Sequence, residues 1–201
     1  MVQVKEGYIS KKDLKFIKQQ VVDNNNFPWY YYPEPVYGFQ KNYPCLSHIL
    51  LPRYDYENNI GFKINSELYS FFTGIIEKIC KKHNIKIKRI LRGALNLTTY
   101  FKEPYSNPHF DHTFDHTDII IYCNKFSKGS TFLFKETSKT NPALSNKDRY
   151  EPFIPKTILK EMKASEGKYN IFPGENYHAA GSPGKDDEVR IICIYTIEEE
   201  K

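Results

Sequence analysis

The chain has 201 residues, with 40% hydrophobic and 26% charged side chains and a formal net charge of +5. That length can bury a core without disulfides or a structural metal, and no apolar run approaches the length of a membrane span. The charge is too mild for a dedicated nucleic-acid binder, and the N-terminal MVQVKEGYISKKD lacks the apolar stretch of a signal peptide, so a cytoplasmic location is expected.

In chain order, residues 11–22 predict a short amphipathic helix with Leu14, Ile17 and Val21 as its apolar stripe, broken by DNNN. The next stretch, FPWYYYPEPVYGFQKNYP, is rich in proline and aromatics; it excludes a regular helix and allows edge or irregular structure. Residues 65–83 predict the strongest helix. Ser66 or Asn65 caps it, and Leu68, Phe71, Phe72, Ile75, Ile76, Ile79 and Cys80 form one continuous face suited to lie on a sheet. KKHN supplies a cationic end with Asn84 as the stop, and the lysines at 11, 12, 15, 18, 81, 82, 86 and 88 read as solvated helix faces.

Strand patterns follow. Residues 85–101 predict one or two strands kinked near Gly93, and 118–124, apolar on both faces, a buried central strand. A strand is expected at 130–135, a long exposed loop at 136–152, a strand within KTILKEMKAS, another in EGKYNIFPG entering a turn, and a last strand at 187–200. Helices first and then six to eight short strands predict an α+β fold, a jelly roll with N-terminal helices packed on one sheet. The expected organisation is a single domain, 1–201, with a helical and aromatic support region (1–84) and a jelly-roll core (85–201). Cys45, Cys80, Cys123 and Cys193 form no CxxC pair, which argues against a zinc ribbon or redox motif; Cys123 and Cys193 read as reduced core residues.

The chemistry concentrates in SNPHFDHTFDHTD, which contains His-x-Asp twice, as His109/Asp111 and His116/Asp118. Side chains at i and i+2 of an extended segment point the same way, so either pair offers an imidazole and a carboxylate together. With a third, distant ligand they make one face of an octahedron suited to Fe(II). A lone His-x-Asp is also common on a solvent-exposed polar loop. His178 follows a strand, in a turn of NIFPGENYHAAGSP, and Arg190 sits in the apolar strand VRIICIY, where a guanidinium needs a carboxylate partner or a route to solvent.

Taken together, PHFDHTFDHTDIIIYCN, GSTFLFKE and GKYNIFPGENYHAAGSPGKDDEVRIICIYTI resemble the iron(II)- and 2-oxoglutarate-dependent dioxygenases, in particular the short prolyl-hydroxylase-like enzymes of phages and marine bacteria. The resemblance covers roughly residues 86–197, and FPWYYYP with SHILLPRY is similar to the N-terminal part of those enzymes. It implies His109, Asp111 and His178 as metal ligands, because a short loop separates the ligand pair from the next core strand and His116/Asp118 abut that strand. His112 and His116 are then loop residues, either lining the entrance or, in the simpler reading, exposed. It further implies Arg190 as the salt-bridge partner of the distal 2-oxoglutarate carboxylate, with Tyr122, Tyr100 and Asn96 on the cosubstrate side; the alternative for Tyr100 and Asn96 is a structural role in the strand.

The implied reaction is hydroxylation of an unactivated C–H bond with release of succinate and CO2. Fe(II), 2-oxoglutarate and O2 take part, with ascorbate as reductant. The expected substrate is a prolyl or other peptide or protein residue. Alternatives are a nucleic-acid or free amino-acid oxygenase, or a non-catalytic jelly-roll metal-binding protein. A carboxylate at 111 argues against halogenation, since related halogenases resemble this pattern with a small residue there. Trp29 to Phe39 is expected to wall a substrate groove or cover the core, and 136–152 to form a lid or a tolerated insertion.

Overall fold

The computed structural model describes residues 2–33, 43–53, 63–140, 144–146, 149–151 and 154–200. Its strands are β1 (Lys5–Tyr8), β2 (Tyr30–Tyr32), β3 (Cys45–Leu51), β4 (Ile87–Thr99), β5 (Thr117–Tyr122), β6 (Thr131–Thr137), β7 (Leu144–Asn146), β8 (Arg149–Glu151), β9 (Ile158–Met162), β10 (Lys168–Pro173), β11 (Asn176–Ala180) and β12 (Val189–Glu199). The helices are α1 (Lys11–Ile17), which widens into a π-helical turn at Lys18–Val22, and α2 (Tyr69–Lys82). A seven-stranded sheet runs β1-β10-β5-β12-β4-β3-β2, and a three-stranded sheet runs β11-β6-β9. Every pairing among these strands is antiparallel, as a jelly roll requires.

The large sheet sorts its side chains by parity. Leu95, Leu97, Ile119, Ile121, Cys193, Tyr195 and Ile197 face α2 and join Phe72, Ile75, Ile76, Ile79 and Cys80 in the main core. Ala94, Ile120, Tyr122, Ile192 and Ile194 point the other way and meet Leu133 and Met162 of the small sheet. The site lies between the two sheets, on this second face.

The expected stripe of the first helix is seen, with Ile17 and Val21 buried and Ser10 capping through Asp13 N–H. Asn84 stops α2 in the left-handed region (φ 55°), but the helix starts at Tyr69, after a turn in which the Ser66 hydroxyl accepts from Leu68 N–H. β4 is one strand rather than a kinked pair. At Gly93 the Tyr195 ring lies across the backbone, where a Cβ would come within 2.8 Å of it. The strand within KTILKEMKAS is β9, while the stretch expected as a loop at 136–152 holds the β7–β8 hairpin. Residues 34–42, within the aromatic stretch, and 141–143, 147–148 and 152–153, within the proposed lid, lie outside the described residues. Lys5–Tyr8 and Cys45–Leu51 form strands that were not expected, and both join the large sheet.

Candidate metal and oxyanion site

The segment carrying the first His-x-Asp crosses over to the small sheet. His109 and His178 form a backbone bridge, His109 N–H donating to His178 O at 3.0 Å and His178 N–H to His109 O at 2.8 Å. Their rings sit 4.6 Å apart between centroids. His178 therefore lies within β11 rather than in a turn, and sheet pairing instead of loop geometry aims its ring. Nδ1 of each imidazole faces the carbonyl two residues back, Asn107 O at 3.1 Å and Asn176 O at 3.3 Å, which leaves Nε2 free as a ligand atom. Burial pushes the His178 imidazole down to about 3, with the neighbouring His109 adding to the effect, and burial lowers His109 as well. Both rings are thus neutral at neutral pH, the form a metal binds.

Asp111 is buried beside them. Burial opposes its ionisation, but Arg53 and Arg92 outweigh that and hold the carboxyl well below the ordinary range. Arg53 donates to both the backbone and the side-chain oxygen of Asp111, and Arg92 reaches the same Oδ1 at 3.3 Å.

The second His-x-Asp stands behind the first. His116 is buried, not an exposed loop residue, and its ring packs directly on Gly174, where a Cβ would overlap Nε2. Asp118 is fully buried, and among the described residues neither carboxylate oxygen has a hydrogen-bond partner; Oδ2 lies 3.8 Å from His116 Nε2 and 3.9 Å from His178 Nδ1. Burial, and then the Asp111 charge, push its carboxyl well above the ordinary range. Ligand-type atoms of Asp111, Asp118 and His178 fall within 4.8 Å of one another.

Between the sheets is a cavity of about 520 Å³. His109, Asp111, His178, Asn96 and Arg190, all singled out in the sequence, line it together with Arg53, Arg92, Ser47 and Thr131. Arg190 is 1% exposed and pairs with no carboxylate among the described residues. Its Nε donates to Gly129 O at 2.8 Å, one terminal nitrogen donates to Thr131 Oγ1 at 2.9 Å, and the Tyr122 ring lies beneath it at 5.6 Å. Tyr122 is behind the cavity wall: its hydroxyl donates to Met162 O at 3.0 Å and meets Thr131 Oγ1 at 2.9 Å. Asn96 accepts from the Ser47 hydroxyl at 2.8 Å. Tyr100 is 39% exposed and does not line the cavity. Sequence reasoning missed Arg53, Arg92 and Thr131; the available signal was parity, since Arg92, Asn96 and Thr98 alternate along one strand with apolar neighbours.

No protein-family model matches the chain, and no curated protein matches it. Solved structures do. A 2OG-Fe(II) oxygenase family oxidoreductase from Burkholderia pseudomallei aligns over 97% of this chain and 84% of its own, with a TM-score of 0.67 at 9% identity. A prolyl-4-hydroxylase from Pseudomonas putida aligns over 100% and 95%, with 0.57 at 8%. A prolyl hydroxylase from Trichoplax adhaerens, in complex with a hypoxia inducible factor oxygen degradation domain peptide fragment, aligns over 98% and 82%, with 0.58 at 9%. At these identities the likeness is one of fold: the chain has the jelly-roll fold of the 2-oxoglutarate/Fe(II) oxygenases. Among the described residues no helix is long and apolar enough to cross a membrane.

Proposed function

We propose that this protein is an Fe(II)- and 2-oxoglutarate-dependent dioxygenase that hydroxylates a C–H bond of a peptide or protein residue, prolyl first among them. The observation that carries the reading is Arg190, a buried guanidinium without a carboxylate partner, in the same cavity as two neutral imidazoles and an ionised carboxylate. A buried cation of this kind is costly unless an anion arrives to pair with it. The donor set fits the metal: two neutral nitrogens and one carboxylate suit Fe(II) with open positions. His109, Asp111 and His178 would hold it. Asp118 and His116 then act from behind, filling the space around Nδ1 of His178 and keeping its ring turned.

Arg190 would clamp the distal carboxylate of 2-oxoglutarate, with Thr131 and Tyr122 orienting the guanidinium and Asn96 on the cosubstrate side; Tyr100 lies outside this wall. When bound, Fe(II) and 2-oxoglutarate supply the oxidising chemistry, by which O2 ends as a substrate hydroxyl and a succinate oxygen while CO2 leaves. The chain's own contribution is to align donor atoms, hold the cosubstrate by its far end and keep the apolar wall of Ile120, Ile192 and Ile194 against the reacting region. Ascorbate is the proposed reductant for stalled enzyme.

The test is succinate formation from 2-oxoglutarate in the presence of Fe(II) and ascorbate, together with a weak visible band from anaerobic Fe(II) plus 2-oxoglutarate. An incidental metal site on a jelly-roll binding protein would show neither. Incubation with prolyl peptide libraries, read by mass spectrometry for the gain of one oxygen, tests the substrate. Salt-dependent retention on DNA or RNA would favour the nucleic-acid alternative.

A further inference from the structure

We infer that the substrate carries an oxyanion, a carboxylate or a phosphate, which docks on Arg92 and Arg53 at the end of the cavity opposite Arg190. The inference deepens the proposed oxygenase reading and rests on it.

The ladder between β4 and β12 sets the geometry. Arg190 pairs with Thr98, and Arg92 pairs with Thr196; Arg190, Thr98 and Arg92 line the cavity, and Thr196 shares the parity of Arg190 along its strand. The six residues from Arg190 to Thr196, at about 3.3 Å per residue, put the two arginine backbones about 20 Å apart along the sheet. The cavity thus has two cationic ends. A keto diacid bound at Arg190 directs its other end to the metal, so neither of its carboxylates is available for Arg92 and Arg53.

At that second end one carboxylate serves two guanidiniums. Arg53 and Arg92 converge on the same Oδ1 of Asp111, whose side chain is 1% exposed, while their own are 43% and 17% exposed. Each guanidinium is a fork built to grip two oxygens of one oxyanion. Among the described residues the two forks share Asp111 Oδ1 and the Asp111 backbone oxygen as acceptors, so most of their N–H groups stay open to an incoming oxyanion, and a divalent metal held by Asp111 would draw further on the same carboxylate. The charge count among the described lining residues agrees. With metal and cosubstrate bound, the three arginines and the metal exceed Asp111 and the two cosubstrate carboxylates by two positive charges. An anionic group on the substrate offsets that surplus and fixes the orientation of the C–H bond relative to the metal.

The experiment uses the full chain loaded with Mn(II), which does not turn over, and saturated with 2-oxoglutarate. Matched probes are titrated calorimetrically: L-proline against L-prolinamide, prolyl peptides with Asp or Glu beside the proline against Asn or Gln, and phosphoserine peptides against serine peptides. At least one oxyanion should bind about tenfold more tightly than its neutral partner. That preference should vanish in Arg92→Gln, shrink in Arg53→Gln and survive in part in Arg92→Lys. Which pair shows it identifies the source of the oxyanion. If no oxyanion outbinds its neutral partner, or if the preference is unchanged in both Gln variants, the inference is wrong. Iron-dependent succinate formation by the unmodified chain separates the two failures: its presence without a preference sinks only this inference, and its absence sinks the oxygenase reading.

Discussion

β12 is one strand with two faces, and their contrast explains how the protein divides its labour. Ile191, Cys193, Tyr195 and Ile197 face α2 and are buried among apolar partners. Arg190 and Thr196, on the other face, are buried just as deeply, and β4 and β5 add Arg92, Asn96 and Asp118 to that side. Apolar burial on the first face stabilises the fold without further help. Burial on the second leaves Arg190 without a carboxylate and Asp118 without a hydrogen-bond donor among the described residues, an arrangement that costs stability. One face is apolar throughout, whereas the other combines a smaller apolar cluster with buried polar groups that lack hydrogen-bond partners among the described residues.

The contrast can be broken or sharpened by substitution. The largest effect is expected at Asp111: Asp111→Ala should abolish metal binding and turnover, measured by metal titration and succinate release. Asp118→Asn should leave most metal binding in place. Should Asp118→Asn prove the fatal change, the cluster of Asp111, Asp118 and His178 would itself be the ligand set and His109 would be a wall residue. Next, Ile121→Ala on the α2 face removes a fully buried side chain and should cost about 2–5 kcal/mol in denaturant unfolding. Its affinity for 2-oxoglutarate, corrected for the folded fraction, should not change. Arg190→Gln should do the reverse, weakening 2-oxoglutarate binding by about 1.5–3 kcal/mol while the metal stays bound, by calorimetry on the metal-loaded protein. Equal 2-oxoglutarate affinity in Arg190→Gln would remove the anchor from the proposal.

The smallest expected effect is in alkaline pH. Burial pushes the thiols of Cys80 and Cys123, both on the α2 side, up to about 12 from an ordinary value of 9.0. Their folded values are raised, so their contribution to stability is complete below about pH 9 and declines as pH climbs from there toward 12. Unfolding free energy should therefore fall over that window, and neither thiol should react with a neutral-pH disulfide reagent until the protein unfolds.

Much of this was legible in the chain because it rests on local periodicity. The α2 face, the central strand expected at 118–124 and seen as Thr117–Tyr122, and the final strand follow from side-chain spacing, and the stop at Asn84 from residue type, none of which needs knowledge of neighbours. The oxygenase resemblance likewise rested on motifs in linear order. His178 in a turn and His116 on the surface were misplaced because their settings depend on partners distant in sequence: β6 pairs with β11, and Gly174 receives the His116 ring. Local spacing shows which residues share a face; only tertiary pairing shows what that face meets. The sequence by itself therefore determined that the chain alternates apolar and polar residues along strands and carries His, Asp and Arg in an oxygenase-like order. Tertiary structure alone decided that Arg53 and Arg92 share one oxygen of Asp111, that Asp118 lies buried without a hydrogen-bond partner among the described residues, and that Arg190 faces a cavity rather than solvent. The physical reason is that electrostatic burial depends on the sum of neighbours in space, which the order of residues along a chain does not encode.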